Sequence, residues 1–201
     1  MKHEARARQA ERLGVRLSPL QLDQLAATER LLQRIAIPRG MIATADAPRL
    51  WERHILDALR GAPELPAAAS VADIGSGAGL PGLPLAIAEP TASFVLIEPR
   101  AGRAAFLEAA VEELELSNVR VFPKRVEDAR GVFQVCVARA FASPLETWAA
   151  ASRRLVRGGV LIYWAGERFD RGPLDDAGVR LRLSTHSDLA RTGPLVIMGP
   201  Q

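Results

Sequence analysis

Groups able to do redox, metal or nucleophilic chemistry are scarce in this chain. It holds a single cysteine, Cys136, in 201 residues. An internal disulfide is therefore excluded, and a reducing compartment such as the cytoplasm is expected. No His/Cys/carboxylate cluster has metal-ligand spacing, so no metal is expected. No apolar run approaches the ~20 residues needed to span a bilayer, which predicts no membrane association. The opening MKHEARARQAERLGVRLS lacks an apolar h-region and does not read as a secretory leader. Internal repeats and low-complexity tracts are also absent. What is present is ordinary for a globular protein: 48% hydrophobic and 24% charged residues. The length suits one domain with an extension, burying roughly 70% of its unfolded surface.

Charge is unevenly placed. Residues 1–66 carry eleven Lys/Arg against eight Asp/Glu, while residues 67–201 are balanced, so the net +3 sits on the N-terminal segment. The basic residues are nearly all arginine, whose planar fork matches phosphate and stacks on bases. An RNA-facing surface fits this pattern. A solvated arginine-rich helical face fits it as well.

Residues 1–66 read as helical. Glu4–Leu13 is one helix. Ser18 and Pro19 cap and open a second that runs to Ile35, with Leu20, Leu22, Leu25, Leu31, Leu32 and Ile35 inward. A third covers Ala47–Leu59, with Leu50, Trp51, Ile55 and Leu59 inward. Gly61, Pro63 and Pro66 then mark a boundary. From residue 67, strands and helices alternate, which argues for a parallel sheet covered on both faces. Strands are expected at Val71–Ile74, Phe94–Ile97, Val119–Phe122, Val135–Arg139, Val160–Trp164, Val179–Leu183 and Leu195–Met198. Helices are expected near Leu83–Ala88, Gly102–Leu114 (Ala105, Phe106, Ala109, Ala110 and Leu114 facing the sheet) and Pro144–Val156. The turn Thr192-Gly193-Pro194 allows an antiparallel hairpin at the end. The expected fold is α/β: a class I, Rossmann-like methyltransferase sheet of seven mostly parallel strands with a C-terminal antiparallel pair. A helical N-terminal extension (1–66) would precede the cofactor-binding domain (67–201).

The first strand leads into Val71-Ala72-Asp73-Ile74-Gly75-Ser76-Gly77-Ala78-Gly79-Leu80-Pro81-Gly82. Glycines at such a strand-to-helix turn let backbone N–H groups approach a ligand closely. Gly77-x-Gly79-x-x-Gly82 also matches a dinucleotide fingerprint, with the acid Glu98 about 20 residues on. Glu98 accepts ribose hydroxyls in either cofactor class and does not separate them. Asp73 does, because an acid at the strand tip opposes a pyrophosphate held by a positive helix N-terminus. It suits instead the ammonium and sulfonium of S-adenosylmethionine. An NAD-dependent oxidoreductase is the lesser alternative.

Asp73, Glu98, the Val126-Glu127-Asp128 loop and Arg139 all fall at carboxyl ends of strands, where open α/β sheets bind ligands. Val126 and Glu127 stand where such folds edge adenine, although an acidic loop without a ligand is also possible. Arg139 ends the apolar run Val135-Cys136-Val137-Ala138 and needs a partner or a cavity. Either a site role or a structural ion pair would satisfy it. Phe141 could stack a base or belong to the core. Arg100 and Arg103 open a helix against the dipole preference, which suits an anionic partner or a solvated pair. His54, between Arg53 and Asp57, reads as a satisfied interface histidine, and Cys136 as a small core residue.

Taken together these residues resemble the bacterial 16S rRNA guanine-N7 methyltransferase family, also called glucose-inhibited division protein B. The match includes Arg53-His54-Ile55-Leu56-Asp57, the Asp73–Gly82 loop with Leu80-Pro81-Gly82, Glu98 and Arg103-Ala104-Ala105-Phe106-Leu107. It continues through Arg125-Val126-Glu127-Asp128 and Arg139-Ala140-Phe141-Ala142, in family order over residues 10–201. The resemblance implies methyl transfer from S-adenosyl-L-methionine to N7 of a guanine in the 530 loop of 16S rRNA, with the small ribosomal subunit as partner. By position it implies cofactor contacts at Gly75, Leu80, Val126, Glu127 and Arg139, to which the loop adds Asp73, Gly77 and Glu98. Arg139 is expected to orient the reactants without acting as a base. Arg53, His54, Arg100 and Arg103 are the expected RNA contacts. A monomer is expected. Two positions depart from the family: Gly40-Met41-Ile42 replaces Asn-Leu-Thr, and Ala165 replaces a lysine before Gly166. Both lie where RNA contact is expected. A different class, an RNA-binding assembly factor on an inert methyltransferase fold, stays open beside the enzyme.

Overall fold

Runs of Val, Ile and Leu, too apolar to alternate, form strands buried on both faces. In the computed structural model, which describes residues 2–184 and 193–200, seven strands make one sheet, with strands of this kind at its centre and the largely exposed Arg180–Leu183 at one edge. The seven are β1 (Ser70–Ile74), β2 (Ser93–Ile97), β3 (Val119–Phe122), β4 (Phe133–Arg139), β5 (Leu155–Trp164), β6 (Arg180–Leu183) and β7 (Leu195–Gly199). Their order is β3-β2-β1-β4-β5-β7-β6. The first five are parallel, and β7 lies antiparallel between β5 and β6. This is the seven-stranded arrangement that the strand spacing predicts. The register pairs Asp73 with Leu96 and Val137, and Arg139 with Trp164, so the carboxyl ends of the central strands converge.

Helices α4 (Gly82–Ala88), α5 (Ala101–Glu113), α6 (Pro144–Ser152) and α7 (Gly172–Asp176) cover the sheet. Three details differ from the sequence expectation. In α5 the buried residues are Ala104, Phe106, Leu107 and Ala110, whereas Ala105 and Ala109 are exposed. The apolar stripe thus runs one step from where alanine spacing alone puts it, because the larger Leu107 takes the core position. Helix α6 stops at Ser152, and Leu155-Val156 already belong to β5. A register shift between Phe133 and Val135, with Gly158 at φ +79°, lets one strand run through Gly158-Gly159. The short α7, opened by Pro173, carries no signal in the sequence reading. Thr192 of the expected C-terminal turn lies outside the described residues.

Of the N-terminal helices, the second starts where its cap predicts. Ser18 forms a capping box with Gln21 at the start of α2 (Pro19–Leu31). The Gln21 amide also donates to the carbonyls of Ile87 and Ala88, which ties α2 to the end of α4. Leu20, expected inward, is instead 67% exposed. A π turn follows at Leu32–Ala36. The single helix expected over Ala47–Leu59 is three tighter or wider pieces: a 3-10 turn at Thr44–Arg49, a π turn at Trp51–Leu56, and α3 (Asp57–Leu59). Pro48 has no N–H for a regular α turn, so the chain tightens there and widens afterwards. Helix α1 (Lys2–Glu11) clamps the wide turn. The Arg6 guanidinium lies 4.3 Å over the Trp51 ring and pairs with Glu29, while Trp51 donates to Gln9 at 2.7 Å. Leu25, Leu32, Leu50, Ile55 and Leu59 share one apolar core with β1, β4 and α4.

Candidate active site

At the carboxyl ends of β1, β4 and β5 the sheet opens into a cavity of about 940 Å³. Its floor is the glycine loop after β1. Gly75, Gly77 and Gly79 adopt φ of +72°, +57° and +80°, which side chains with a Cβ rarely take. A Cβ on Gly75 would fall 2.5 Å from the Phe141 ring, and one on Gly82 would fall 2.5 Å from Asp73 Oδ2. The loop is thus shaped from below by Asp73 and from the side by Phe141.

Asp73 does not face the cavity. It is fully buried beneath the loop, with Oδ2 accepting the Gly82 N–H at 3.0 Å. Burial raises its carboxyl to about 7, against the opposing pull of Ser76, the Gly82 N–H and Arg139. Its Oδ1 is one of two buried side-chain polar atoms among the described residues without a hydrogen-bond partner. An ionisable oxygen enclosed in this way is normally paired. The observation fits a ligand that brings positive charge to this loop, as S-adenosylmethionine would.

Glu98, at the tip of β2, is also buried. One carboxylate oxygen accepts the Gly77 N–H at 3.0 Å and the other the Arg100 N–H at 2.9 Å. These bonds lock Glu98 to the loop. Val126 is buried and Glu127 exposed in a short 3-10 turn after β3, and neither lines the cavity. Arg154 holds that turn, donating to the carbonyls of Glu127 at 2.9 Å and Ala129 at 2.6 Å. Of the expected RNA contacts, Arg53, His54 and Arg103 line the cavity. Arg100 is exposed outside its lining.

The two segments carrying Arg53–Asp57 and Arg139–Ala142 meet here. Arg139 donates through Nη2 to His54 Nδ1 at 2.9 Å and through Nη1 to Asp57 Oδ2 at 3.3 Å. Asp57 Oδ1 accepts from the buried Arg60 at 2.7 Å, and Arg60 donates onward to the Gly193 carbonyl at 3.1 Å. Asp46 Oδ2 lies 3.1 Å from the other ring nitrogen of His54. Trp164 donates to the Asp57 carbonyl at 2.8 Å, which pins the end of β5 to the same hub. Burial, followed by the Arg139 charge, holds His54 below its ordinary pKa, against the raising effect of Asp46. Arg139 therefore sits in an ion-pair network at the edge of the cavity. Ala140 next to it takes φ +53°, a strained value for a residue with a Cβ. That kink sends Arg139 towards His54 and Phe141 over Gly75.

Asp46 and Arg60 are site residues that motif reading does not single out, and Asp57 enters it only as the end of the Arg53–Asp57 motif, with no role. His54, Asp57 and Arg60 are spaced by three, a one-face helical pattern that carried the signal for two of them. Asp46 is eight residues from His54 across irregular turns and has no local signature. Burial pushes the Cys136 thiol up to about 12, so it is no nucleophile. Met41, Ile42 and Ala165, at or beside the two departures from the family pattern, line the cavity.

Residues 21–170 match the profile of the family described as rRNA small subunit methyltransferase G. The ribosomal RNA small subunit methyltransferase G of Salinispora arenicola is 50% identical over 108 residues, which is 53% of this chain and 45% of that protein. The protein of the same name from Corynebacterium diphtheriae is 42% identical over 151 residues, 72% of this chain and 67% of that protein. The chain spans about half the length of some curated relatives it matches, 45% in Salinispora and 55% in Nocardioides. Solved structures share the fold at low identity. A ribosomal protein L11 methylase from Lactobacillus delbrueckii gives a TM-score of 0.59 at 15% identity, covering 74% of this chain and 79% of that one. A SAM-dependent methyltransferase from Aquifex aeolicus gives 0.57 at 19% identity, covering 80% and 96%. These likenesses show a class I methyltransferase fold. The fold, the glycine loop and the match over residues 21–170 agree: the chain belongs to the rRNA small subunit methyltransferase G family.

Proposed function

We propose that this chain transfers a methyl group from S-adenosylmethionine to N7 of a guanine in the 530 loop of 16S rRNA. The observation that carries the proposal is the buried, partnerless Asp73 oxygen under a loop of positive-φ glycines, beside an arginine-lined cavity. S-adenosylmethionine supplies an electrophilic methyl group when bound over that loop. Gly75 and Gly77 let the backbone come close to it, and Leu80 gives an apolar wall. Asp73 contributes negative charge from below the loop. Glu98 would accept ribose hydroxyls, already oriented by its two amide bonds. Val126 and Glu127 would edge the adenine.

Guanine N7 presents a lone pair and no proton, so this transfer needs no general base. Both nitrogens of His54 are engaged, and Cys136 is buried in β4. Catalysis then rests on holding the two reactants in line, a task for fixed side chains such as Arg139. Arg53, Arg100 and Arg103 would meet phosphates, and the target base would be splayed from its loop. The helical segment 1–66 would face RNA and segment 67–201 would hold the cofactor. We place the protein in the cytoplasm as a monomer. No helix among the described residues is long and apolar enough to cross a membrane.

The test is transfer of labelled methyl to naked rRNA and to assembled small subunits. Incorporation into either supports the enzyme. Cofactor binding with no incorporation into either favours the other reading, an assembly factor on an inert fold.

A further inference from the structure

Asp46 stands on the 3-10 turn before the wide turn, with its side chain only 14% exposed. One oxygen takes Arg49 at 3.3 Å and Arg53 at 3.1 Å, and the other faces His54 Nε2 at 3.1 Å. Across the ring, His54 Nδ1 faces Arg139 Nη2 at 2.9 Å. An arginine can only donate, so Nδ1 must accept with its lone pair. The single proton of a neutral imidazole is then on Nε2, pointing at Asp46. A carboxylate can only accept, and the two ends agree on one tautomer. A ring flipped by half a turn would place carbon atoms against both partners. The orientation of His54 is therefore set from both sides, as a relay from Asp46 through His54 to Arg139.

We propose that Asp46 is a positioning residue which, acting through His54, fixes the Arg139 guanidinium at the end of β4. The inference rests on reading the cavity as a methyl-transfer centre. Arg139 is gripped twice, by Asp57 on Nη1 and by His54 on Nη2, and only the second grip depends on Asp46. Loss of that grip leaves Arg139 attached but free to pivot about Asp57. The charged groups around His54 are Asp46, Arg49 and Arg53 from its own segment, Asp57 from α3 and Arg139 from β4. Tyr163, Glu167 and Arg168 line the same cavity from the β5 side.

The experiment has two readouts on the whole chain and its Asp46→Asn and Asp46→Ala variants. The first is nitrogen-15 NMR of the imidazoles, assignable because the chain holds three histidines, with His54→Gln as the assignment control. Near neutral pH the wild-type His54 proton is expected on Nε2, shifted downfield and slow to exchange with water. It exchanges rapidly in Asp46→Ala and is partly retained in Asp46→Asn, whose amide oxygen still accepts. The second readout is the pH profile of methyl transfer. With one charge-assisted bond lost, kcat/KM of Asp46→Ala is expected to fall about tenfold to a hundredfold. At saturating S-adenosylmethionine, where the titration of Asp73 no longer limits cofactor binding, its acid limb should also move to lower pH, because Asp46 favours the imidazolium. A wild-type proton on Nδ1, or an Asp46→Ala variant with unchanged rate and acid limb, overturns the proposal. A wild type with the Nε2 proton that methylates no rRNA supports the relay and sinks the functional reading instead.

Discussion

Asp73→Asn removes the charge from the most enclosed carboxylate of the glycine loop while keeping its shape. The amide oxygen can still accept the Gly82 N–H that Oδ2 accepts at 3.0 Å. Burial raises the Asp73 carboxyl from 3.8 to about 7 in the folded chain. A carboxyl raised in this way binds its proton more tightly folded than unfolded. Between those two pH values the native state therefore holds more protons, and wild-type stability falls as pH rises. The cost is absent below about 4 and complete above about 7. Three units correspond to a ceiling of about 4 kcal/mol, and relaxation around the charge brings the expected value to about 2–4 kcal/mol. Urea unfolding of both proteins at about pH 5 and about pH 8 measures it. The Asn variant should be the more stable at the higher pH, with the gap shrinking at the lower. Calorimetry with S-adenosylmethionine should show the opposite order: weak or no binding to the variant, and wild-type affinity that weakens as pH drops through about 7. A stability difference that does not change with pH would refute the electrostatic argument. Undiminished cofactor affinity in the variant would refute the proposed role of the charge.

Gly75→Ala forces a Cβ against Phe141 at a φ of +72°, and calorimetry should find cofactor binding lost. Arg60→Met leaves one oxygen of the buried Asp57 without its 2.7 Å partner. Arg139 still pairs with the other oxygen, so the variant should lose about 2 kcal/mol in urea unfolding, the cost of one buried hydrogen bond to a charged group. Arg154→Met cuts both bonds to the Glu127 and Ala129 carbonyls. If the Val126–Asp128 turn edges the adenine, calorimetric affinity for S-adenosylmethionine should fall about tenfold, the equivalent of one such bond.

The sheet was legible because its signals are local. Phe94–Ile97 and Val135–Val137 are apolar throughout, Val71–Ile74 is apolar but for Asp73, and glycines mark the loop after β1. Ser18-Pro19 announced α2 because a cap is a short-range hydrogen bond. Elements set by distant contacts were less readable. The helix expected over Ala47–Leu59 widens into a π turn where α1 packs on Trp51 through Arg6, a contact that no window around residue 50 contains. Gly158-Gly159, outside the strand expected at Val160–Trp164, lies within β5, which pairs with β4 across a register shift. The site shows the same division. Arg139 and His54 could be named from motifs, but not that they would bond to each other, since 85 residues separate them. Asp73 lies one residue from the end of β1, close to the strand tip where its position after an apolar run puts it. That it lies under the loop and outside the cavity lining follows from the third dimension alone.

The central claim is methylation of one base atom by this chain. It is tested most directly by mapping modified positions in the 16S rRNA of cells with and without the protein. The account predicts an N7-methylated guanine in the 530 loop that disappears when the protein is absent and returns with the wild-type gene. An rRNA whose modifications are identical in both cells would contradict it.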